Sequence, residues 1–232
     1  MCTSIISNRN KTIIGFNLDI VDMEYRIRAC EDGVYIEIKD DAEGWLPLFG
    51  ANSNGDFVAM PTCWPYDSRS DQNKDEINII NLDIDLLLQK RNFEETKRIV
   101  ETENICSVKG TTFQSQLSDK NGNVLQVIPG QGYRYFEKPK YLVMTNFSPF
   151  KMDKETHPWM GYDRYQLANK LLEEADDNFD VNDCFEILYQ VQNKLIKTLV
   201  SIVYDASTNK VYWCENCDLK NIKEFSFLKE KK

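Results

Sequence analysis

Cys2-Thr3-Ser4-Ile5-Ile6-Ser7, the turn Asn8-Arg9-Asn10-Lys11, and Thr12-Ile13-Ile14-Gly15-Phe16-Asn17-Leu18-Asp19 open the chain. Thr3 to Ser7 and Thr12 to Phe16 are β-branched runs on either side of turn residues, which predicts a pair of strands. The strand pattern continues outward from this pair. Tyr25 to Cys30 and Gly33 to Ile38 predict a hairpin about Glu31-Asp32. Trp45 to Phe49 and Phe57 to Met60 follow, with turn chemistry at Asn52-Ser53-Asn54-Gly55 between them. A polar loop over Tyr66 to Asn78 leads to helical spacing, in which Leu82, Leu86 and Leu87 share a face. Phe93 to Val100 predicts a second helix starting after Asn92. Strands are expected again at Thr111 to Leu117 and Val124 to Ile128, joined by Asp119-Lys120-Asn121-Gly122, and at Tyr141 to Thr145. Amphipathic helices over Asp163 to Ala175 and Val181 to Lys197 precede strands at Leu199 to Asp205 and Lys210 to Cys214, then a charged tail ending Lys229 to Lys232. This segregated order predicts an α+β fold with antiparallel sheets and helices on their outer faces, not a doubly wound parallel sheet. No repeat, low-complexity tract or Gly/Ser linker interrupts the sequence, so residues 1–232 are expected to form one domain.

The 232 residues carry 28 Lys and Arg against 37 Asp and Glu, a net charge of −9. That balance argues against a nucleic-acid partner, whose phosphates need clustered cations. No stretch approaches the length of an apolar membrane span. The first residues lack a charged segment followed by an apolar one, so no signal peptide is expected and the chain reads as soluble and cytoplasmic. Seven scattered cysteines suit that compartment better than a secreted disulfide framework. Cys214-Glu215-Asn216-Cys217 is the one close pair, and a single pair without a second Cys or His pair is a poor zinc site. Neither a metal nor an organic cofactor is expected. No Gly-x-Gly-x-x-Gly and no phosphate loop is present.

Cys2 carries the chemistry. Residue 2 is small enough for the initiator Met1 to be removed, which leaves an α-amine beside a thiol. An α-amine titrates near 7.7–8.0 and a thiol near 8.5, so one residue supplies a general base and a strong nucleophile at neutral pH. His157, the only histidine, lies in Thr156-His157-Pro158-Trp159 and offers a Cys-His alternative, although a histidine beside proline reads first as a loop residue. Met60, Trp64 and Phe147, with Trp45 and Trp159 near them in sequence, could line an apolar acyl pocket, but read first as packing.

Cys2-Thr3 followed by Gly15-Phe16-Asn17-Leu18-Asp19 resembles the start of the N-terminal-nucleophile amidases. More narrowly it is similar to the choloylglycine hydrolase group, which includes conjugated bile acid hydrolases, penicillin V acylases and acid-ceramidase-like amidases. The resemblance implies a four-layer αββα sandwich and a linear-amide C–N hydrolase with Cys2 as nucleophile. It implies that Asp19 holds the α-amine, with Asn17 two positions before it. Met144-Thr145-Asn146-Phe147-Ser148-Pro149 resembles the family's Thr-Asn segment, which gives Asn146 the oxyanion as its partner. Gly50-Ala51-Asn52-Ser53-Asn54-Gly55 resembles the turn before the second oxyanion donor, which by count is Thr62, with Cys63 one position on. Asp163-Arg164-Tyr165 opens a helix where the family places an active-site arginine, a role that falls on Arg164. Bile conjugates, phenoxyacetyl-type amides, N-acyl amino acids and peptide-like amides all suit such a small-molecule N-acyl amide hydrolase, and relatives suggest a homo-oligomer.

The chain departs from the pattern at Phe16, where the family has an arginine, and in its short connection from Ser148 to Arg164. A phenyl ring neither lowers a thiol's pKa nor holds a polar group. The alternative is therefore a weak or inactive relative that binds an acyl ligand.

Overall fold

The computed structural model describes residues 1–64, 76–108, 110–150 and 160–228. His157, Trp159, most of the Tyr66 to Asn78 loop and the last four residues lie outside them.

The first sheet-forming elements run β1 (Thr3–Asn8), β2 (Thr12–Asp19), β3 (Tyr25–Cys30), β4 (Gly33–Asp40), β5 (Gly44–Asn52) and β6 (Phe57–Ala59). A short β7 (Ile77–Asn78) leads into α1 (Ile79–Leu87) and α2 (Phe93–Thr102), and β8 (Ile105–Cys106) pairs with β7 in parallel. Then come β9 (Ser115–Ser118), β10 (Val124–Ile128), β11 (Gly132–Phe136), β12 (Tyr141–Met144), α3 (Tyr162–Glu174), α4 (Val181–Gln190), β13 (Thr198–Asp205), β14 (Lys210–Glu215) and β15 (Lys223–Ser226). Six strands form one antiparallel sheet in the order β12-β1-β2-β13-β14-β15, and seven form the other in the order β11-β10-β9-β6-β5-β4-β3.

Both faces of each sheet are covered. Ile6, Ile14, Phe16 and Leu18 meet Val34, Ile36, Phe49 and Phe57 between the sheets. Ile5, Ile13 and Val203 pack outward on Phe185 and Leu188 of α4. Val58, Leu117 and Leu125 pack outward on Leu82, Leu86 and Phe93 of α1 and α2. The molecule is the expected α+β fold with two antiparallel sheets inside two helical layers. Double coverage explains why every residue of β1 and β2 is buried. Gly15 admits α4 close to β2, since a Cβ there would lie 2.5 Å from Cys184 Sγ. Gly50, at φ +133°, brings β5 against β4, where a Cβ would lie 2.1 Å from the Val34 carbonyl.

Two expectations are corrected. The helix from Val181 ends at Gln190, not Lys197, because Asn193 accepts the N–H groups of Leu195 and Ile196 and turns the chain. Only Ser115–Ser118 of the strand expected over 111–117 is regular; Thr111 and Phe113 form isolated bridges. Strands β11 and β15 were not foreseen. Both are exposed edge strands, so neither carries the alternation that reveals a half-buried strand.

Asp83 of α1 is fully buried; its Oδ2 accepts the Ser115 hydroxyl proton and its Oδ1 has no partner among the described residues. Burial pushes its carboxyl up to about 8 against the Ser115 bond. The folded chain therefore holds this proton more tightly than the unfolded chain, and stability is lost as pH climbs from the ordinary carboxylate range, about 4, toward about 8. Asp83→Asn is expected to flatten that fall, so that between about pH 4 and about pH 8.5 its Tm gains roughly 10–20 °C on the parent's, about four pKa units at about 1.4 kcal/mol each, with most of the gain above about pH 5. Melting curves across that range check it; a gap independent of pH would refute it.

Candidate active site

The N-terminus of β1, the C-terminus of β2 and the start of β13 meet at one end of the six-stranded sheet, because β1 and β13 both run antiparallel to β2. Cys2 is 3% exposed and belongs to the apolar cluster between the sheets that contains Phe16, Leu18, Ala59 and Met60. Phe16 stacks on Phe49 at 5.1 Å and belongs to the core between the sheets. Burial pushes the Cys2 thiol up, opposed by the N-terminal ammonium.

Asp19 is fully buried. Its Oδ1 accepts from Thr198 Oγ1 at 2.6 Å and its Oδ2 lies 3.6 Å from Arg164 Nη1. Its backbone carbonyl accepts from the Met1 ammonium. Burial raises its pKa, and the Thr198 hydroxyl, Arg164 and the ammonium each oppose that. Asn17, one pleat away, accepts from Ser201 Oγ at 2.7 Å and donates to the Leu188 carbonyl at 2.8 Å. That carbonyl lies in the last turn of α4, where intrahelical donors run out.

Arg164 comes from the first turn of α3 and is buried. Its Nη1 donates to the Cys2 carbonyl at 2.8 Å and to Thr3 Oγ1 at 2.6 Å, and its Nη2 donates to Asn146 Oδ1 at 2.8 Å. Asn146 follows β12. Its Oδ1 also accepts the Cys2 backbone N–H at 2.9 Å, while its Nδ2 donates to the Thr62 carbonyl at 2.8 Å and Thr62 Oγ1 at 3.0 Å. Asn146 thus ties the Cys2 nitrogen to Thr62. Gln114 braces the loop from the other side, donating to the Thr145 and Phe147 carbonyls at 2.8 and 3.2 Å.

Thr62 faces Phe113 in an isolated antiparallel bridge. The flanking bonds, Cys63 N–H to the Thr112 carbonyl at 2.7 Å and Gln114 N–H to the Pro61 carbonyl at 2.9 Å, make it a non-hydrogen-bonded pair. In such a pair the N–H and C=O both point away from the opposite strand. The Thr62 carbonyl accordingly meets Asn146, and the Thr62 N–H points to the same side. The Cys63 N–H, by contrast, is committed to the Thr112 carbonyl.

Cys2, Asn17, Asp19, Thr62, Asn146 and Arg164 are therefore gathered at one end of the sandwich. Sequence reasoning missed Thr198, Ser201 and Gln114, none of which carries a linear signal, and gave Thr3 no contact of its own although it stands in the Cys2-Thr3 motif. Of the residues weighed as a pocket, Met60 and Phe147 are buried. Trp45 lies under Arg26 at 4.6 Å. Trp64 donates its backbone N–H to the Asn146 carbonyl at 2.6 Å. Among the described residues no three His, Cys, Asp or Glu side chains gather as a metal would require, and no helix is long and apolar enough to cross a membrane.

No protein-family model and no curated protein matches the chain. Solved structures do. A cysteine-to-alanine mutant of conjugated bile acid hydrolase from Clostridium perfringens superposes with a TM-score of 0.66 at 14% identity, covering 97% of this chain and 92% of that one. An arginine-to-leucine variant of the same hydrolase gives 0.66 at 15% identity, with coverage of 97% and 92%. Penicillin V acylase from Agrobacterium tumefaciens gives 0.63 at 15% identity, covering 97% and 86%. The sandwich is the fold of this hydrolase and this acylase.

Proposed function

We propose that the chain is a member of the choloylglycine hydrolase group and hydrolyses a linear, non-peptide amide through Cys2. The observation that supports this best is the convergence on Cys2 itself: its nitrogen meets Asn146, its carbonyl meets Arg164, and Asp19 lies beside the amino terminus. With Met1 removed, the freed α-amine keeps Asn146 Oδ1 as an acceptor, and the space Met1 occupied beside the Asp19 carbonyl opens to substrate. The amine takes the thiol proton as sulfur attacks the amide carbon. This concerted transfer suits a thiol whose burial disfavours a resting thiolate.

The tetrahedral oxyanion is met by the Thr62 N–H and the second Asn146 Nδ2 hydrogen, which leaves the rotatable Thr62 hydroxyl. The C–N bond breaks as the ammonium returns its proton to the leaving amine, and a thioester remains on Cys2. Water, deprotonated by the same amine, attacks the thioester carbon and releases the carboxylic acid and the thiol. Arg164 is the one guanidinium at the nucleophile among the described residues, and it holds backbone and Asp19 rather than substrate. With Phe16 in the adjoining core, the acyl side of the site is apolar, which favours uncharged acyl groups.

The deciding experiment is the intact mass of purified protein before and after limiting iodoacetamide, with a peptide map, followed by a panel of N-acyl amides. Loss of Met1, labelling of Cys2 ahead of the other six cysteines and release of amine support hydrolysis. Retained Met1, or a Cys2 no more reactive than the rest, overturns it in favour of an acyl-binding protein.

A further inference from the structure

The strand behind Asp19 is irregular. Ser201 faces Asn17 and Val200 faces Leu18, so a regular ladder would set Leu199 opposite Asp19. Instead the register shifts and Thr198 takes that place, leaving Leu199 as the extra residue of a bulge. The bulge converts what would be an aliphatic neighbour into a hydroxyl 2.6 Å from Asp19 Oδ1. It is held from outside, since the Leu199 carbonyl accepts the Asn216 N–H at 2.9 Å. Asn216 and Cys217, at φ 57° and 56°, form a tight left-handed turn closed by the Asp218 N–H on the Glu215 carbonyl at 3.1 Å. The same turn sets Cys217 Sγ 3.8 Å from Ser201 Oγ, the hydroxyl that holds Asn17.

We propose that Thr198, delivered by the bulge at Leu199, is a positioning residue that fixes the Asp19 carboxylate toward the α-amine of Cys2. This rests on the reaction proposed above. The charged and titratable groups that face Asp19 are Arg164 from α3, the amino terminus and the Cys2 thiol just before β1, and the Cys217 thiol from the turn after β14. None of the others donates to Oδ1, so without Thr198 that oxygen has no fixed partner among the described residues. A carboxylate that has lost a donor ionises at higher pH and turns freely.

The test is the pH profile of Cys2 acetylation by p-nitrophenyl acetate in Met1-free protein, read by peptide mass for the parent, Thr198→Val and Thr198→Ser. Thr198→Val is expected to move the acid limb about one unit to higher pH, a roughly tenfold slower reaction on that limb, with Thr198→Ser restoring the parent profile. Thr198→Ala, compared with Thr198→Ser, isolates the hydroxyl should valine not be accommodated. An acid limb that stays, or that moves to lower pH because the thiol has only lost a neighbouring negative charge, overturns the positioning role while Cys2 acetylation in the parent stands. A parent in which Cys2 is not acetylated ahead of the other cysteines overturns the reaction and this inference together.

Discussion

Cys2→Ala is expected to abolish amide cleavage, by about 10⁴-fold or more, because a unit of nucleophile and base fails as a whole when one part is lost. The fold should survive, since replacing a small buried thiol by a methyl group leaves the Asn146, Arg164 and Asp19 bonds to backbone and carboxylate in place. Acyl-ligand binding should therefore persist in the variant. A single glycine inserted between Met1 and Cys2 makes the complementary change, keeping the thiol and moving the amine one residue away. It is expected to be as inactive as the alanine variant, which separates the amine's role as base from the thiol's as nucleophile. Turnover measured on the same N-acyl amide for all three proteins checks this. An active glycine insertion would point instead to an external base such as His157. Binding without turnover in parent and variant alike would point to an acyl-binding protein.

The linear order of Cys2, Asp19, Asn146 and Arg164 was readable because each sits in a short motif at the end of a strand or the start of a helix. What joins them was not. Arg164 in a sequence is a charged residue on an amphipathic helix, and only the fold shows that its guanidinium turns inward to the Cys2 carbonyl and Asn146. Thr198 was hidden for a stronger reason. Period-two reading of β13 assigns Leu199, not Thr198, to the face of Ser201, and the bulge that reverses this has no periodic signature. Similar logic separates the strands that were foreseen from those that were not. The β-branched runs of β1 and β2 announce themselves, whereas β11 and β15 owe their form to a neighbouring strand and solvent. Phe16 was legible as a departure from the pattern the motifs resemble, and its stacking on Phe49 makes it part of the core.

Arg164→Leu is the change expected to cost the most stability. It leaves the Asp19 carboxylate, the Cys2 carbonyl, Thr3 Oγ1 and Asn146 Oδ1 without their shared donor, in a place where water does not replace it. Breaking a buried charge pair by removing one partner costs about 3–5 kcal/mol, which for a chain of this size is a Tm lower by roughly 6–20 °C. Part of that loss depends on pH. Arg164 opposes the upward push of burial on Asp19, so its removal raises the Asp19 pKa further and lets the carboxyl become neutral. The folded carboxyl, already above its unfolded value in the parent, then binds its proton more tightly still, so the variant should regain stability toward acid and lose it as pH rises through the raised value. Arg164→Lys keeps a charge but cannot fork to several acceptors at once, and an intermediate Tm with activity still reduced at least a hundredfold is expected. Melting curves and turnover at several pH values decide it. A leucine variant that melts with the parent at neutral pH would mean that Asp19 and Asn146 are organised by something other than this guanidinium.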